Sequence, residues 1–217
     1  MNTEKANFVN GSFVVLASRP AMGKTALALD IARHMAGCSE KNILIISLEL
    51  SKEQVMARLR KADDTEYRNI LVDDDPLRSV KDIEELCQNT ENLGAVIIDY
   101  LQLLSDARYT REKAITWELK RMAKQLNIPV ICTSSVSRAV NMREDKRPIL
   151  TDFCHTSVVD ERDADQVLIL YRDRYYNPET PVGDMAECII VKNRYGDVGT
   201  VKLRWNPERL AFSLWEA

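Results

Sequence analysis

Apolar and polar positions follow two rhythms along this chain. Short, wholly apolar runs rich in β-branched residues alternate with stretches in which apolar residues recur every three to four positions. The first kind predicts buried strands and the second predicts helices with one inward face. Phe13–Ala17 (FVVLA) is the first apolar run. After it, Leu27, Ile31 and Met35 fall at i, i+4 and i+8, and Gly37 stands where such a helix would stop. Asn42–Glu49 is a second strand, Lys52–Lys61 a helix, Asn69–Asp75 a short strand ending in acid, and Val80–Gln88 a helix. Ala95–Leu104 opens as a strand. Glu112–Leu126 follows as an amphipathic helix with Ile115, Leu119, Met122, Ala123 and Leu126 inward. Pro129–Ser135 and Gln166–Arg172 are two further strands.

The tail changes character. Between Ala186 and Leu214 the pattern holds three strands and little helix, separated by the turn-prone NRYGD and NPER. Strands alternating with helices predict a mostly parallel sheet flanked by helices, and the tail predicts an antiparallel extension at its edge. Its 217 residues suit a single α/β domain over residues 13–217, preceded by a tail over residues 1–12. The longest expected loop, Ser137–Asp160, is long enough to suggest a functional role.

Composition narrows the picture. Hydrophobic residues make up 45%, and no apolar run approaches the ~20 residues that cross a bilayer. The polar start, MNTEKANFVNGS, lacks a signal-peptide core, so a cytoplasmic location without membrane contact is the expectation. Cys38, Cys87, Cys132, Cys154 and Cys188 are scattered singly, and the histidines are His34 and His155. That spacing argues against zinc; Cys154 beside His155 reads as two loop residues. A net charge of −3 is not the basic excess of a protein that coats DNA by itself. A ring could still gather positive charge in its channel.

The stretch Ser18–Ala32 (SRPAMGKTALALDIA) carries the first chemistry. It lies between a strand and a helix, as a P-loop does, although Ser18 stands where the usual first glycine would be. Gly23 lets the backbone approach a phosphate. Backbone N–H groups from Ala21 to Ala26 would face the phosphate at the positive end of the helix. Lys24 would reach the β- and γ-phosphates, and Thr25 would place its hydroxyl on Mg²⁺.

Ligands of open α/β sheets sit at the carboxyl ends of strands, and two acids fall there. Asp99 ends AVIID as a Walker-B aspartate does and would hold Mg²⁺. Glu49 ends the second strand and could activate the attacking water. Glu49 also reads as an ordinary acid at the start of the next helix, and Asp99 as a solvated strand-end acid.

Taken together, SRPAMGKTALALDIA, IISLELSKEQVMARL, VIIDYLQLL, DKRPILTD, DADQVLILYRD and VKNRYGDVGTVKLRWN resemble the C-terminal, RecA-like ATPase domain of the DnaB-type replicative helicases, over about Phe13 to Phe212. The resemblance implies a RecA-like P-loop fold, ATP with Mg²⁺, single-stranded DNA and a homo-oligomeric ring of hexamer type. That family's phosphate loop also lacks the first glycine, so Ser18 ceases to be an anomaly. Arg19, Pro20, Met22, Gly23, Lys24 and Thr25 match the loop, with Ala21 and Ala26 beside them. Glu49 falls on the catalytic glutamate. Lys192 and Arg194 fall on the lysine and arginine finger that the family inserts into a neighbouring subunit's site; without the resemblance they read as solvated charges at a hairpin. Arg172 and Tyr176 fall near the family's nucleotide-base contact.

The resemblance is incomplete. Only about ten residues of this sequence precede the first strand, and the expectation is that the family's N-terminal primase-binding domain and most of its linker helix are lacking. The family's Ser-Gln, whose glutamine is thought to sense the γ-phosphate, is Ser134–Ser135, and serine is too short to span the same gap. Its DNA-gripping Arg-Glu-Ser-Gly is Cys154–Ser157, which removes a phosphate-seeking cation. The stretch between MARL and ILVDDD is shorter than the family's. Arg138, Arg143, Lys146 and Arg147 remain as candidate DNA contacts, interleaved with Glu144 and Asp145 and without aromatics that could stack on bases. Three functions follow: a helicase-like motor on single-stranded DNA, an ATP-binding regulator or assembly factor that does not unwind, and a remnant that binds ATP with little turnover. The trans-acting finger favours the motor, while Ser135 and Cys154–Ser157 favour the other two.

Overall fold

The computed structural model describes residues 8–62, 67–104, 115–152 and 162–216. Among them the strands are β1 (Phe13–Ser18), β2 (Asn42–Ser47), β3 (Ile70–Asp73), β4 (Leu93–Asp99), β5 (Val130–Ser135), β6 (Gln166–Arg172), β7 (Met185–Asn193), β8 (Gly199–Asn206) and β9 (Ala211–Leu214). They form one sheet in the order β3-β2-β4-β5-β1-β6-β7-β8-β9. The pairings from β3 through β6 are parallel, and β6-β7, β7-β8 and β8-β9 are antiparallel. The expected parallel core with an antiparallel C-terminal extension is therefore the fold.

Among the described residues four α-helices cover the two faces: α1 (Lys24–Cys38) and α2 (Lys52–Ala62) on one, α3 (Val80–Gln88) and α4 (Ile115–Leu126) on the other. This layering explains the unbroken apolar runs. Along β1, Val14 and Leu16 point into the core beneath α1 and α2, while Phe13, Val15 and Ala17 point into the core beneath α3 and α4. A strand covered on both faces has no solvated side on which to place polar residues. In β8 the pattern reverts to alternation, with Leu203 and Trp205 buried between exposed neighbours, because one face there is uncovered.

Some boundaries differ from the sequence reading. Helix α1 does not stop at Gly37 but runs on to Cys38 and is capped by Ser39. Gly37 sits in the last turn of the helix with open space around its Cα. β4 ends at Asp99, and Leu101–Leu103 form a short 3-10 turn rather than more strand. The start of the expected helix at residues 112–114 lies outside the described residues, and Leu126 at its end is only partly buried. Of the long loop, Arg138–Met142 and Leu150–Asp152 are 3-10 turns, while Cys154, His155 and the rest of Cys154–Ser157 lie outside the described residues. Phe8, within the expected N-terminal tail, packs against the core beneath α1.

Two buried acids stitch distant segments together, and neither stood out in the sequence. Asp165, just before β6, is 1% exposed. Its Oδ2 accepts the Phe13 N–H at 2.8 Å and the Lys120 ammonium at 2.5 Å, and its Oδ1 faces Arg194 at 3.3 Å. Asp30, in α1, accepts the backbone N–H of Phe212 at 2.6 Å and pairs with Arg33. It thereby fastens β9 to α1 and sets the Phe212 ring, tilted against Trp205 at 4.7 Å, behind the loop that follows β1.

Burial pushes the Asp30 carboxyl up to about 6, against the opposing pull of the Phe212 N–H and Arg33. Folding raises this pKa, so its contribution to stability is full below the ordinary value near 4 and is lost as pH climbs through about 6. Wild type should lose on the order of 1 kcal/mol more stability than Asp30→Asn between pH 5 and pH 8. Urea denaturation of both proteins at the two pH values checks this; parallel losses would contradict it.

Candidate nucleotide site

The chain leaves β1 at Ser18 and re-forms as α1 at Lys24, and the turn between them fixes the site. Ala21 has φ 63° and Gly23 has φ 98°, both in the left-handed region. Gly23 is the residue at which this turn depends on glycine twice over. A side chain there would be strained, and its Cβ would lie 2.9 Å from Cζ of Phe212. Met22 turns the other way, into the core, at 1% exposure. The backbone of residues 19–23 therefore wraps an open space at the N-terminus of α1.

That space is a cleft of about 450 Å³. Every residue of the predicted loop except Met22 lines it: Arg19, Pro20, Ala21, Gly23, Lys24, Thr25 and Ala26. Glu49 joins them from the end of β2, exposed, on a turn held by the Ser47 hydroxyl donating to the Leu50 carbonyl at 2.7 Å. Lys24 stands over the Tyr100 ring at 4.5 Å. Burial lowers its pKa, and the charges of Asp99 and Glu49 partly restore it. A desolvated ammonium between two carboxylates is prepared for an anionic ligand that brings its own negative charge.

Asp99 lies beneath the loop, 4% exposed, at the end of β4. The Thr25 hydroxyl donates to its Oδ2 at 2.7 Å, and the Thr133 hydroxyl donates to its Oδ1. Thr25 and Asp99 thus present a hydroxyl and a carboxylate side by side, an all-oxygen donor pair that fits Mg²⁺ beside phosphate. Thr133 was not identified from sequence. Its signal was a polar residue inside the apolar run of β5.

The remaining candidates fall elsewhere. Arg172 does not line the cleft; it lies over the Trp205 ring at 4.6 Å, and burial lowers its pKa. Its link to the loop runs through Trp205, which packs on Phe212 behind Gly23. Tyr176 lies nearer, where the Arg19 charge opposes the effect of burial on its phenol, which is raised overall. Lys192 and Arg194 lie at the far end of the sheet. Ser18 pairs with Leu170, whereas the Arg194 N–H bonds the Asp165 carbonyl, five residues back. At ~3.3 Å per residue the two ends are roughly 15 Å apart along the strands, beyond an arginine's reach. Among the candidate DNA contacts, Arg143 is paired with Asp152 at 2.7 Å and Arg147 with Glu187 at 2.7 Å, while the Lys146 ammonium donates to the Asn141 carbonyl at 2.8 Å. Arg138 is exposed. Cleft residues missed in the sequence are Arg58, Tyr100 and Leu210.

The family described as the DnaB-like helicase C terminal domain matches residues 2–65 and 59–214. The chain belongs to this family. It is 34% identical over 238 residues to the replicative DNA helicase DnaB of Geobacillus stearothermophilus, covering 94% of this chain and 52% of that protein. To the replicative DNA helicase DnaC of Bacillus subtilis it is 36% identical, again over 94% of this chain and 52% of the relative. The chain thus spans about half the length of these curated relatives. Among solved structures, a DnaB-like replicative helicase, described with its interactions with primase, superposes with a TM-score of 0.85 at 33% identity, covering 96% of this chain and 58% of that one. A second structure, described as an ATPase domain, gives 0.87 at 33% identity over 96% and 86% of the two chains. The RadB recombinase gives 0.65 at 18% identity over 97% and 93%, which places the fold among RecA-like proteins. The DnaB-like family assignment and the RecA-like sheet agree with the cleft geometry. Among the described residues no helix is long and apolar enough to cross a membrane.

Gly23→Ala tests the loop. A left-handed alanine costs ~1–2 kcal/mol before the clash with Phe212 is counted. The variant should melt lower than wild type and bind a fluorescent ATP analogue at least about tenfold more weakly, since the cradle must shift to make room. Unchanged affinity would refute the cradle.

Proposed function

We propose that this chain is an ATP-hydrolysing motor domain of the replicative-helicase type, working in the cytoplasm as a ring of like subunits, six by resemblance to the family, on single-stranded DNA during replication. One observation carries the reading. The cleft gathers Lys24, Thr25 and Glu49 above Asp99, yet Lys192 and Arg194, the residues that would complete it, lie at the opposite end of the same sheet. By resemblance these two cations belong in a nucleotide cleft, and because they are remote from their own, a second copy would receive them.

The chemistry follows from the residues. Backbone N–H groups at the start of α1 bind phosphate oxygens, and Lys24 balances the charge of the β- and γ-phosphates. Thr25 and Asp99 would hold Mg²⁺, which supplies charge neutralisation on the phosphates. Glu49 takes the proton from the water that attacks the γ-phosphorus. Arg194 of the neighbouring copy, with Lys192 beside it, faces the charge on the transferring phosphoryl group. Arg138 is the exposed cation left for DNA among the four candidates in the loop. The matched relatives are named replicative helicases, which favours the motor over the regulator.

ATPase rate against protein concentration, with and without single-stranded DNA, tests the motor: the rate per subunit should rise with both. The shared site predicts complementation. Lys24→Ala and Arg194→Ala should each be inactive alone, and a mixture should recover turnover, because some interfaces join an intact loop to an intact finger. Full activity of Arg194→Ala alone would overturn the assignment of the finger.

A further inference from the structure

Beside Asp99 the sheet buries a second polar side chain, in a strand that is otherwise apolar at this depth. Ile98 pairs with Cys132 across β4 and β5, so Asp99 and Thr133 are neighbours one residue further along. Side chains alternate along β5. Val130 and Cys132 enter the core beneath α3 and α4, and Ile131 enters the core beneath α1. Thr133 follows Ile131 onto the α1 face and is 0% exposed. A buried hydroxyl needs a hydrogen-bond partner, and this one donates to Asp99 Oδ1. On the opposite flank of Asp99, Ser47 of β2 commits its hydroxyl to the Leu50 carbonyl at 2.7 Å.

The two oxygens of Asp99 are therefore not equivalent. Oδ2 accepts from Thr25, which lines the cleft, and Oδ1 accepts from Thr133, which does not. The two bonds fix the plane of the carboxylate, with one oxygen on the side of the ligand and the other held within the sheet. That asymmetry bears on which cation the residues suit. Ca²⁺ takes about six to eight oxygens and readily uses both from one carboxylate, whereas Mg²⁺ demands a compact octahedron and keeps several waters.

We propose that Thr133 sets the cation preference of the nucleotide site. By holding Oδ1 it leaves Asp99 one oxygen to offer, which suits Mg²⁺ and disfavours Ca²⁺. This rests on the reading of the cleft as a site for ATP with Mg²⁺. Thr133 acts through Asp99 and is a positioning residue. Without its hydroxyl, Oδ1 is buried with no donor, and the carboxylate relieves that cost by turning both oxygens toward the cleft.

The test is equilibrium binding of a fluorescent, non-hydrolysable ATP analogue to the full chain, first in EDTA and then across titrations with Mg²⁺ or Ca²⁺. The proteins are wild type, Thr133→Val, Thr133→Ala and Thr133→Ser, each checked for folding by circular dichroism. Valine keeps the shape without the hydroxyl, alanine removes the hydroxyl without bulk should valine not fold, and serine restores the donor. Wild type should need less Mg²⁺ than Ca²⁺ for half-saturation. The ratio of the Ca²⁺ to the Mg²⁺ concentration should fall roughly three- to tenfold in the valine and alanine variants, the scale of one hydrogen bond to a charged group, and hold in the serine variant. Affinity in EDTA should stay within about twofold throughout. An unchanged or higher ratio in the valine and alanine variants, or a loss in EDTA as large as that with metal, would overturn the role of Thr133 and leave the ATP reading intact. Failure of wild type to bind the analogue under any of these conditions would overturn that reading and the proposal with it.

Discussion

The structure hinges on one buried carboxylate. Asp99 sits at the end of β4 with each oxygen held by a threonine hydroxyl, Thr25 from α1 and Thr133 from β5. Burying a charge is costly unless it is hydrogen-bonded on every side. Here the two hydroxyls meet part of that cost, and Lys24 supplies the nearby positive charge. The same contacts fix where the first turn of α1 stands relative to the strand ends, and therefore where the cradle opens. Leu48, just past the end of the neighbouring β2, donates its N–H to the Asp99 carbonyl at 2.8 Å, so the backbone just before Glu49 is referenced to the same residue.

Much of this was legible in the sequence because the signals are local. The strand-loop-helix around Gly23, the acid closing AVIID and the apolar runs are each contained within a few residues, and each folds as its own pattern dictates. The parallel core and the antiparallel tail followed from the change in rhythm after Ala186. What stayed hidden depends on partners far along the chain. Thr133 becomes a clamp only because β5 lies beside β4, Asp165 a junction only because β6 lies beside β1, and Phe212 a wall behind Gly23 only because Asp30 anchors β9 across 182 positions. Arg143, Lys146 and Arg147 looked like free cations because their acceptors, Asp152, Glu187 and the Asn141 carbonyl, carry no mark in the sequence that pairs them. Arg58 had a visible sign, a cation on the buried edge of an amphipathic helix, but its meaning required the cleft.

The antiparallel extension is more than an edge. Its last two strands pack an aromatic pair, Trp205 from β8 and Phe212 from β9, against the phosphate loop, and Arg172 lies on the outer ring of that pair. A loop of left-handed residues would otherwise hold its shape with few side-chain contacts. Backing it with Phe212 makes a rigid cradle from a flexible sequence, and it ties the geometry of the cradle to a segment that follows it by almost the whole length of the chain.

Asp165 joins two segments that lie far apart in the sequence. One of its oxygens holds the first residue of β1, and the other faces Arg194. β1 is the strand whose far end becomes the phosphate loop. Its backbone repeats the arrangement, with the Asp165 N–H on the Phe13 carbonyl and the Asp165 carbonyl accepting the Arg194 N–H. The residue is thus a pin through both segments. The foot of the strand that becomes the phosphate loop and the residue that carries the guanidinium keep one fixed spacing, whatever the loops around them do.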